Sequence, residues 1–200
     1  MREMLQLLID LIFPPKPEEL RLRVLSPVDF IKIAQQSSSK EALFSYQDPL
    51  VKELVWQIKY KKNKQAIKIA GYAIYKILDE KFTEPILLIP IPISKKRRRE
   101  RGYNQCELVV DEILRLEGGK RFSKDYNLLA RVKHIERQTL KGRKERIENT
   151  KNIFEVNKKS DNQKIILIDD VITTGSTVEE AKKALLLAGY NDVYAIAIAH

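Results

Sequence analysis

Cysteine is nearly absent. The single Cys106 excludes an intrachain disulfide and any structural zinc site built from cysteines alone. Long apolar runs are missing too. The N-terminal stretch Met4–Phe13 is apolar but short, and Asp10 interrupts it. A bilayer span takes about 20 apolar residues, so this segment is expected to pack against the body of the protein, with peripheral contact to a membrane surface as the alternative. No small-residue cleavage site follows it and no secretory signal pattern is visible, which makes a reducing cytosol the expected compartment. Acidic residues are the minority: 27 Asp+Glu stand against 37 Lys+Arg, a net charge of +10 at pH 7. That balance favours polyanionic partners (phosphorylated ligands, nucleic acid or an anionic membrane surface) without choosing among them. The hydrophobic content of 44% is that of a globular protein, and the length suits one α/β domain with an appended segment.

What is present is organised by alternation. Pro14, Pro15 and Pro17 stop the first helix and force an extended turn. Residues 18–45 are mixed in character, and Ser37–Ser39 reads as a loop. Asp48-Pro49 suggests an N-cap with proline in the first turn. Leu50, Val51, Leu54, Val55 and Ile58 then recur at helical spacing, up to a basic knot over residues 59–64. A second helix carries Ile67, Ala70, Gly71, Ile74, Ile77 and Leu78 on one face and is closed by Glu84-Pro85. Ile86–Pro90 is a buried strand. Helical spacing resumes through Leu108, Val109, Ile113, Leu114 and Leu116, ending at Gly118-Gly119. Leu128–Val132 and Phe154–Val156 are short strand candidates, and the charged, apolar-poor residues 133–152 between them have the composition of an exposed mobile loop. A last helix carries Val178, Ala181, Ala184, Leu185 and Ala188, with Gly189 at C′, and Val193–Ala199 is a final buried strand. No internal repeat is visible. Strands and helices alternating in this way predict an α/β fold, a mostly parallel twisted sheet flanked by helices. The expected division is an N-terminal extension over 1–45 and an α/β domain over 46–200.

The chemistry concentrates in Ile165–Thr177, Ile-Ile-Leu-Ile-Asp-Asp-Val-Ile-Thr-Thr-Gly-Ser-Thr. A continuous apolar run reads as a strand buried on both faces. It ends in Asp169 and Asp170, at the strand edge where open α/β sheets bind ligands. Thr173, Thr174, Gly175, Ser176 and Thr177 follow where a helix begins, so hydroxyls and unpaired backbone N–H groups converge on a phosphate cradle. A phosphorylated, polyhydroxylated ligand fits, its sugar hydroxyls on the carboxylates and its phosphate on the loop. The plainer reading, two aspartates capping a helix, needs only one acid. A second constellation follows the strand Ile86–Pro90. Ser94, Lys95 and Lys96 lead a loop in which every residue from 95 to 101 except Glu100 is Lys or Arg. Alone it would be a solvated basic patch or a nucleic-acid contact. After a buried strand and beside an Asp-Asp motif, it is suited to neutralising a pyrophosphate.

These residues carry a family resemblance. Ile-Leu-Ile-Asp-Asp-Val-Ile-Thr-Thr-Gly-Ser-Thr is similar to the ribose-phosphate motif of the type I phosphoribosyltransferases. Pro90-Ile-Pro92, the Arg-rich run and Arg101-Gly-Tyr-Asn-Gln105 narrow it to the competence protein F family within that superfamily. Leu129-Ala-Arg131, Gln138, Leu140, Arg146, Asn149, Phe154 and the block Leu54–Tyr60 agree, so the resemblance spans roughly residues 43–200. It implies a type I phosphoribosyltransferase fold with a hood-like N-terminal segment. It further implies that Asp169 and Asp170 bind the ribose hydroxyls of phosphoribosyl pyrophosphate, that Thr173–Thr177 hold its 5′-phosphate, and that Ser94, Lys95 and Lys96 line a pyrophosphate loop. Arg131, Gln138 and Arg146 would belong to a flexible loop closing over the site. Mg²⁺ would be held mostly through the ligand and water, with no dedicated protein ligand. Relatives commonly carry two cysteine pairs after Phe-Pro-Pro, forming a zinc ribbon. This chain has none there, so no zinc is expected and residues 16–42 must hold by packing.

Two functions from different classes follow. One is phosphoribosyl transfer, with oxocarbenium character at the anomeric carbon and charge stabilisation at the departing pyrophosphate; no residue names the acceptor. The other is a DNA-handling accessory protein of natural competence, contacting single-stranded DNA or a helicase partner through basic clusters at 59–64, 95–101 and 141–146. Tyr60 and Tyr103 are the few aromatics interleaved with those clusters, and Trp56 reads as a packing residue, which argues against a strong stacking platform. Cys106 reads as a small buried hydrophobe rather than a nucleophile. His134 lacks a partner at ligand spacing and reads as a solvent-exposed residue.

Overall fold

A computed structural model describes residues 14–132, 153–158 and 163–200. Five parallel strands form the sheet, in the order β1 (Ala42–Phe44), β7 (Val193–Ala199), β6 (Lys164–Val171), β2 (Ile86–Pro90) and β3 (Phe122–Lys124). β4 (Leu129–Arg131) and β5 (Phe154–Val156) make a separate antiparallel pair. The helices are α1 (Pro17–Val24), α2 (Pro27–Ile33), α3 (Pro49–Trp56), α4 (Lys64–Lys81), α5 (Lys95–Arg101), α6 (Gln105–Glu117) and α7 (Ser176–Leu187). The parallel sheet with flanking helices is the fold class that the alternation predicts.

The two central strands are apolar on both faces because both faces are covered. Ile86, Leu88, Ile166 and Ile168 join the core built with α3, α4 and α6. Leu87, Ile89, Ile165 and Leu167, one residue out of phase, join a second core with α7 and the β4–β5 pair. Period-2 alternation therefore sorts one apolar run into two cores. Several local signals work as read: the Asp48 side chain accepts from the N–H of Leu50 (2.8 Å) with Pro49 opening α3, and Gly118 caps α6 in the left-handed conformation.

The elements in residues 17–44 escaped the sequence reading. α1 and α2 bury Leu22 and Phe30 in the first core, and β1 adds an edge strand against β7 through Ala42↔Ala197 and Phe44↔Ala199. Strands of three residues give too short a pattern to show periodicity. The segment Met4–Phe13 lies outside the described residues. Among those described, no helix is long and apolar enough to cross a membrane.

Candidate functional site

The register of β6 against its neighbours puts Ile168 opposite Pro90 of β2 and Asp169 opposite Ala197 of β7. Asp169 and Asp170 thus stand at the carboxyl edge of the central strand, beside the end of β2. Asp170 is 6% exposed, and its carboxylate is fully engaged. One oxygen accepts the N–H of Val171 (2.8 Å). The other accepts from Nε2 of Gln105 (3.1 Å) and lies 2.9 Å from Nζ of Lys59. Asp169 is partly exposed; one of its oxygens accepts the N–H of Asp170 (2.8 Å) and sits 3.8 Å from Sγ of Cys106. Loss of water around the group, and then the neighbouring charge of Asp170, raise the Asp169 carboxyl to about 7. Burial, followed by the two carboxylates, pushes the Cys106 thiol well above its usual range. A thiol held neutral is no nucleophile, and the reading of Cys106 as a buried small residue holds.

Lys59 is the functional residue that the sequence reading missed. It reaches Asp170 from a π-helical turn over Gln57–Lys61 that continues α3, a local form that recurs at functional sites. The turn is fixed from inside. Nε2 of Gln57 donates to Glu53 (2.8 Å), Nδ2 of Asn63 donates to Oε1 of Gln57 (3.1 Å), and Lys62 turns the chain in the left-handed region at φ 49°. In sequence Lys59 looks like one member of a solvated basic knot. The signal that separates it is phase: it falls four residues after Val55, on the buried stripe.

The phosphate cradle follows. Gly175 takes φ +75° and opens α7, while Thr173, Thr174 and Ser176 are exposed. The hydroxyls of Thr174 and Ser176 lie 3.0 Å apart. Asp169 and Thr173–Thr177 line one hollow, so the first acid and the whole loop face a common space at a helix N-terminus.

The basic segment departs from expectation. Lys95–Arg101 is not a loop but the helix α5. Ser94 caps it by accepting from the N–H of Arg97 (3.2 Å), Lys and Arg are good helix formers, and Gly102 ends it at φ +78°. Its cations are consequently distributed around a helix. Arg98 turns to Glu107 (2.8 Å) and Arg101 to Gln105 (2.7 Å); Lys95 and Lys96 remain exposed at its start. Arg131 is likewise not in a loop. It is the last residue of β4, paired with Phe154 of β5, and its guanidinium lies 5.5 Å from the Phe154 ring centroid. Burial and then Arg97 lower its pKa, while Asp169 opposes them. Its Nε is buried without a hydrogen-bond partner among the described residues. Gln138, Arg146, His134 and the basic cluster at 141–146 lie outside the described residues.

The donor set bears on magnesium. Cys106, Asp169 and Asp170 offer ligand atoms within 4.8 Å of one another. A neutral thiol is a poor donor for a hard cation, and both oxygens of Asp170 are occupied by Lys59, Gln105 and the Val171 N–H. Mg²⁺ prefers oxygens and keeps several waters. Asp169 alone retains a carboxylate oxygen outside these contacts. The residues fit an ion carried by ligand oxygens and water, and not one held in a protein cage.

The chain is 34% identical over 112 residues to competence protein F of Haemophilus influenzae, covering 54% of this chain and 48% of that protein. It is 29% identical over 150 residues to competence protein ComFC of Bacillus subtilis, covering 74% and 58%. It is 25% identical over 146 residues to the DNA utilization protein YhgH of Escherichia coli, covering 70% and 63%. The chain therefore spans about half to two thirds of the length of these curated relatives. No family model matches it. Among solved structures, a hypoxanthine phosphoribosyltransferase from Staphylococcus aureus aligns at a TM-score of 0.41 with 11% identity, over 66% of this chain and 61% of that one. The resemblance to the competence protein F family, read first from motifs, is carried by the curated relatives as well.

Proposed function

We propose that this protein binds phosphoribosyl pyrophosphate together with Mg²⁺, in the service of DNA uptake or nucleotide metabolism in the cytoplasm. One observation carries the reading: Asp169 and the hydroxyl loop Thr173–Thr177 line a single hollow at the carboxyl end of the central strand. A ribose 5-phosphate is the ligand class that needs both ends of such a hollow. Its 5′-phosphate would accept from the backbone N–H groups and hydroxyls at the start of α7, where the helix dipole favours an anion. Its ring hydroxyls would donate to Asp169. Asp170, tied to Lys59 and Gln105, would hold its neighbour in place and lower the charge that meets an anionic ligand.

The pyrophosphate would lie towards Ser94, Lys95 and Lys96 at the end of β2, with Arg131 approaching from β4. Mg²⁺, when bound, would neutralise part of that charge and stabilise the departing oxygens. Phosphoribosyl transfer is the reaction class that this arrangement serves. The protein's own share of it is orientation and charge stabilisation. The connection to DNA rests on the names of the relatives, competence proteins and DNA utilization proteins. Single-stranded DNA and other proteins of the competence machinery are the partners proposed with it.

Calorimetric titration with phosphoribosyl pyrophosphate and Mg²⁺ tests the site. Binding is expected for the wild type and not for Asp169→Ala/Asp170→Ala, with Asp169→Asn as a milder variant that leaves the Lys59 pair intact. Equal binding in all three, or none in the wild type, would sink the proposal. Circular dichroism separates a lost ligand site from a lost fold.

A further inference from the structure

We infer that the corner formed by the π-helical turn and the residues leading into α6 is a stacking platform for single-stranded DNA. The inference rests on the DNA-handling reading above and makes no use of the sugar-phosphate ligand. It also reverses the expectation that Trp56 is a packing residue. α3 turns Leu50, Val51, Leu54 and Val55 inwards, and Trp56 falls out of that phase. It is 41% exposed and Tyr60 is 58% exposed. Aromatic surface of that size, left in water beside the buried stripe of its own helix, suits a partner better than a core.

The rings do not stand alone. Trp56 and Tyr60 are tilted against each other with centroids 5.8 Å apart. Nζ of Lys61 lies 5.4 Å from the Trp56 ring and the guanidinium of Arg101 lies 5.1 Å from the Tyr60 ring. Nζ of Lys62 lies 5.6 Å from the ring of Tyr103. Two clusters that are distant in sequence, 59–64 and 95–101, thus meet across Tyr60. Tyr103 welds the corner by donating to the carbonyl of Ile58 (2.8 Å) and accepting the N–H of Lys62 (3.1 Å). Arg101 is steadied by its bond to Gln105 (2.7 Å). Among the described residues no carboxylate pairs with Lys61, Lys62 or Arg101, and Lys59 points inwards to Asp170.

A ligand that uses this corner must offer flat π faces and closely spaced negative charge together. Single-stranded nucleic acid does both, because its bases stack on aromatic rings while its phosphates meet lysine and arginine. A duplex hides its base faces. An anionic membrane supplies the charge but would ask for more apolar surface than a pair of ring edges among lysines.

The test exploits composition: Trp56 is the sole tryptophan, so its fluorescence reports on the platform directly. An oligo(dT) or oligo(rU) strand is expected to quench its emission, with an affinity that falls as salt rises. Lys61, Lys62 and Arg101 predict a log–log slope of about −2, taking roughly −0.7 for each single-strand phosphate neutralised. Tyr60→Ala should weaken binding by about 5- to 150-fold, the range for losing one stacked base. Trp56→Ala, followed by anisotropy of a labelled strand, should do likewise. Quenching by oligo(dT) at least as strong as by oligo(rU) supports the platform, and a clear preference for oligo(rU) would overturn DNA as its occupant. Several results would overturn it: no quenching, equal affinity for the matching duplex, tighter binding to phosphatidylserine vesicles, or unchanged affinity in both aromatic variants. If charge reversal at Arg97–Arg99 abolishes binding while Tyr60→Ala and Trp56→Ala do not, DNA handling stands and the platform falls. Asp169→Asn, which leaves the Lys59–Asp170 pair in place, should leave strand binding intact.

Discussion

Replacing Lys59 with Met leaves Asp170 facing an apolar side chain in place of a cation. The pair is 2.9 Å apart, with the lysine side chain 19% and the aspartate side chain 9% exposed. Removing one partner of a buried ion pair costs about 3–5 kcal/mol, because the surviving charge is stranded. Asp170 keeps its bonds from Gln105 and Val171, and the site is open to some water, so the expected loss is near the low end, about 3 kcal/mol. Its pH dependence has a definite sign. Lys59 lowers the pKa of Asp169, which loss of water and Asp170 hold at about 7; without Lys59 that pKa moves higher still. A carboxyl whose folded-state pKa exceeds its unfolded value of about 3.9 costs nothing below the unfolded value. It costs most above the folded one, where the unfolded chain has long since released the proton. The deficit of Lys59→Met should therefore be largest at pH 8 and should shrink as pH falls towards 5. Lys59→Met/Asp170→Asn removes both charges and should recover most of the loss. Urea unfolding of the three proteins at pH 8 and pH 5.5 measures all of this. A single-variant loss under about 0.5 kcal/mol at pH 8, or a double variant no more stable than the single, would refute the argument that Lys59 compensates a buried acid.

Two further predictions use other parts of the chain. Affinity for phosphoribosyl pyrophosphate with Mg²⁺ should rise as pH is taken from 6 to 8, because ribose hydroxyls donate to an ionised Asp169 whose carboxyl titrates near 7. Asp169→Asn should flatten that part of the profile, and an unchanged slope would place the titrating group elsewhere. Gly71→Ala should destabilise by up to about 2 kcal/mol in thermal or urea unfolding. The added Cβ would stand 2.5 Å from Cγ and 2.8 Å from Cβ of Glu112 where α4 and α6 cross, and overpacking of about 1–3 kcal/mol outweighs the ~1 kcal/mol that alanine gains in a helix. Gly71→Ala/Glu112→Ala should return only part of the difference, because it removes the Cγ contact and keeps the Cβ at 2.8 Å.

The parts of the fold that were legible in the sequence are those whose burial imposes a long pattern. β2, β6 and β7 are runs of apolar residues because they lie inside the sheet. α4, α6 and α7 carry one apolar face each because one face meets it. β1 and β3 have three residues apiece, and their sequences, Ala-Leu-Phe and Phe-Ser-Lys, would suit many settings. The acids and hydroxyls of the site were legible for a different reason: they are contiguous, and the strand end that collects them is also a sequence landmark. Lys59 and Gln105 were not, since they reach Asp170 from 111 and 65 positions away, by contacts that only the packing of α3 and α6 against the sheet creates. Charge density predicts a loop at α5 because it signals solvent exposure and carries no information on backbone conformation. A run of Lys and Arg behind a serine cap is as good a helix as it is a patch.

The π-helical turn links the two kinds of surface. In a regular α-helix, residues 59 and 60 are about 100° apart, and a stripe that buries Val55 also draws in the residue four places on. Here that residue is a lysine, whose burial is tolerable only because Asp170 awaits it. Within the widened turn Lys59 meets that acid while Tyr60, next in the chain, stands beside Trp56 and under Arg101. Arg101 is itself bonded to Gln105, and Gln105 to Asp170. The inward cation and the outward ring thus sit on one widened turn and are joined a second time through a glutamine. A perturbation of Asp170 has two short covalent and hydrogen-bonded routes to the rings: Lys59 to Tyr60, and Gln105 to Arg101. For that reason the emission of Trp56 is the natural place to look for the arrival of a ligand at the acids, even though it makes no contact with them.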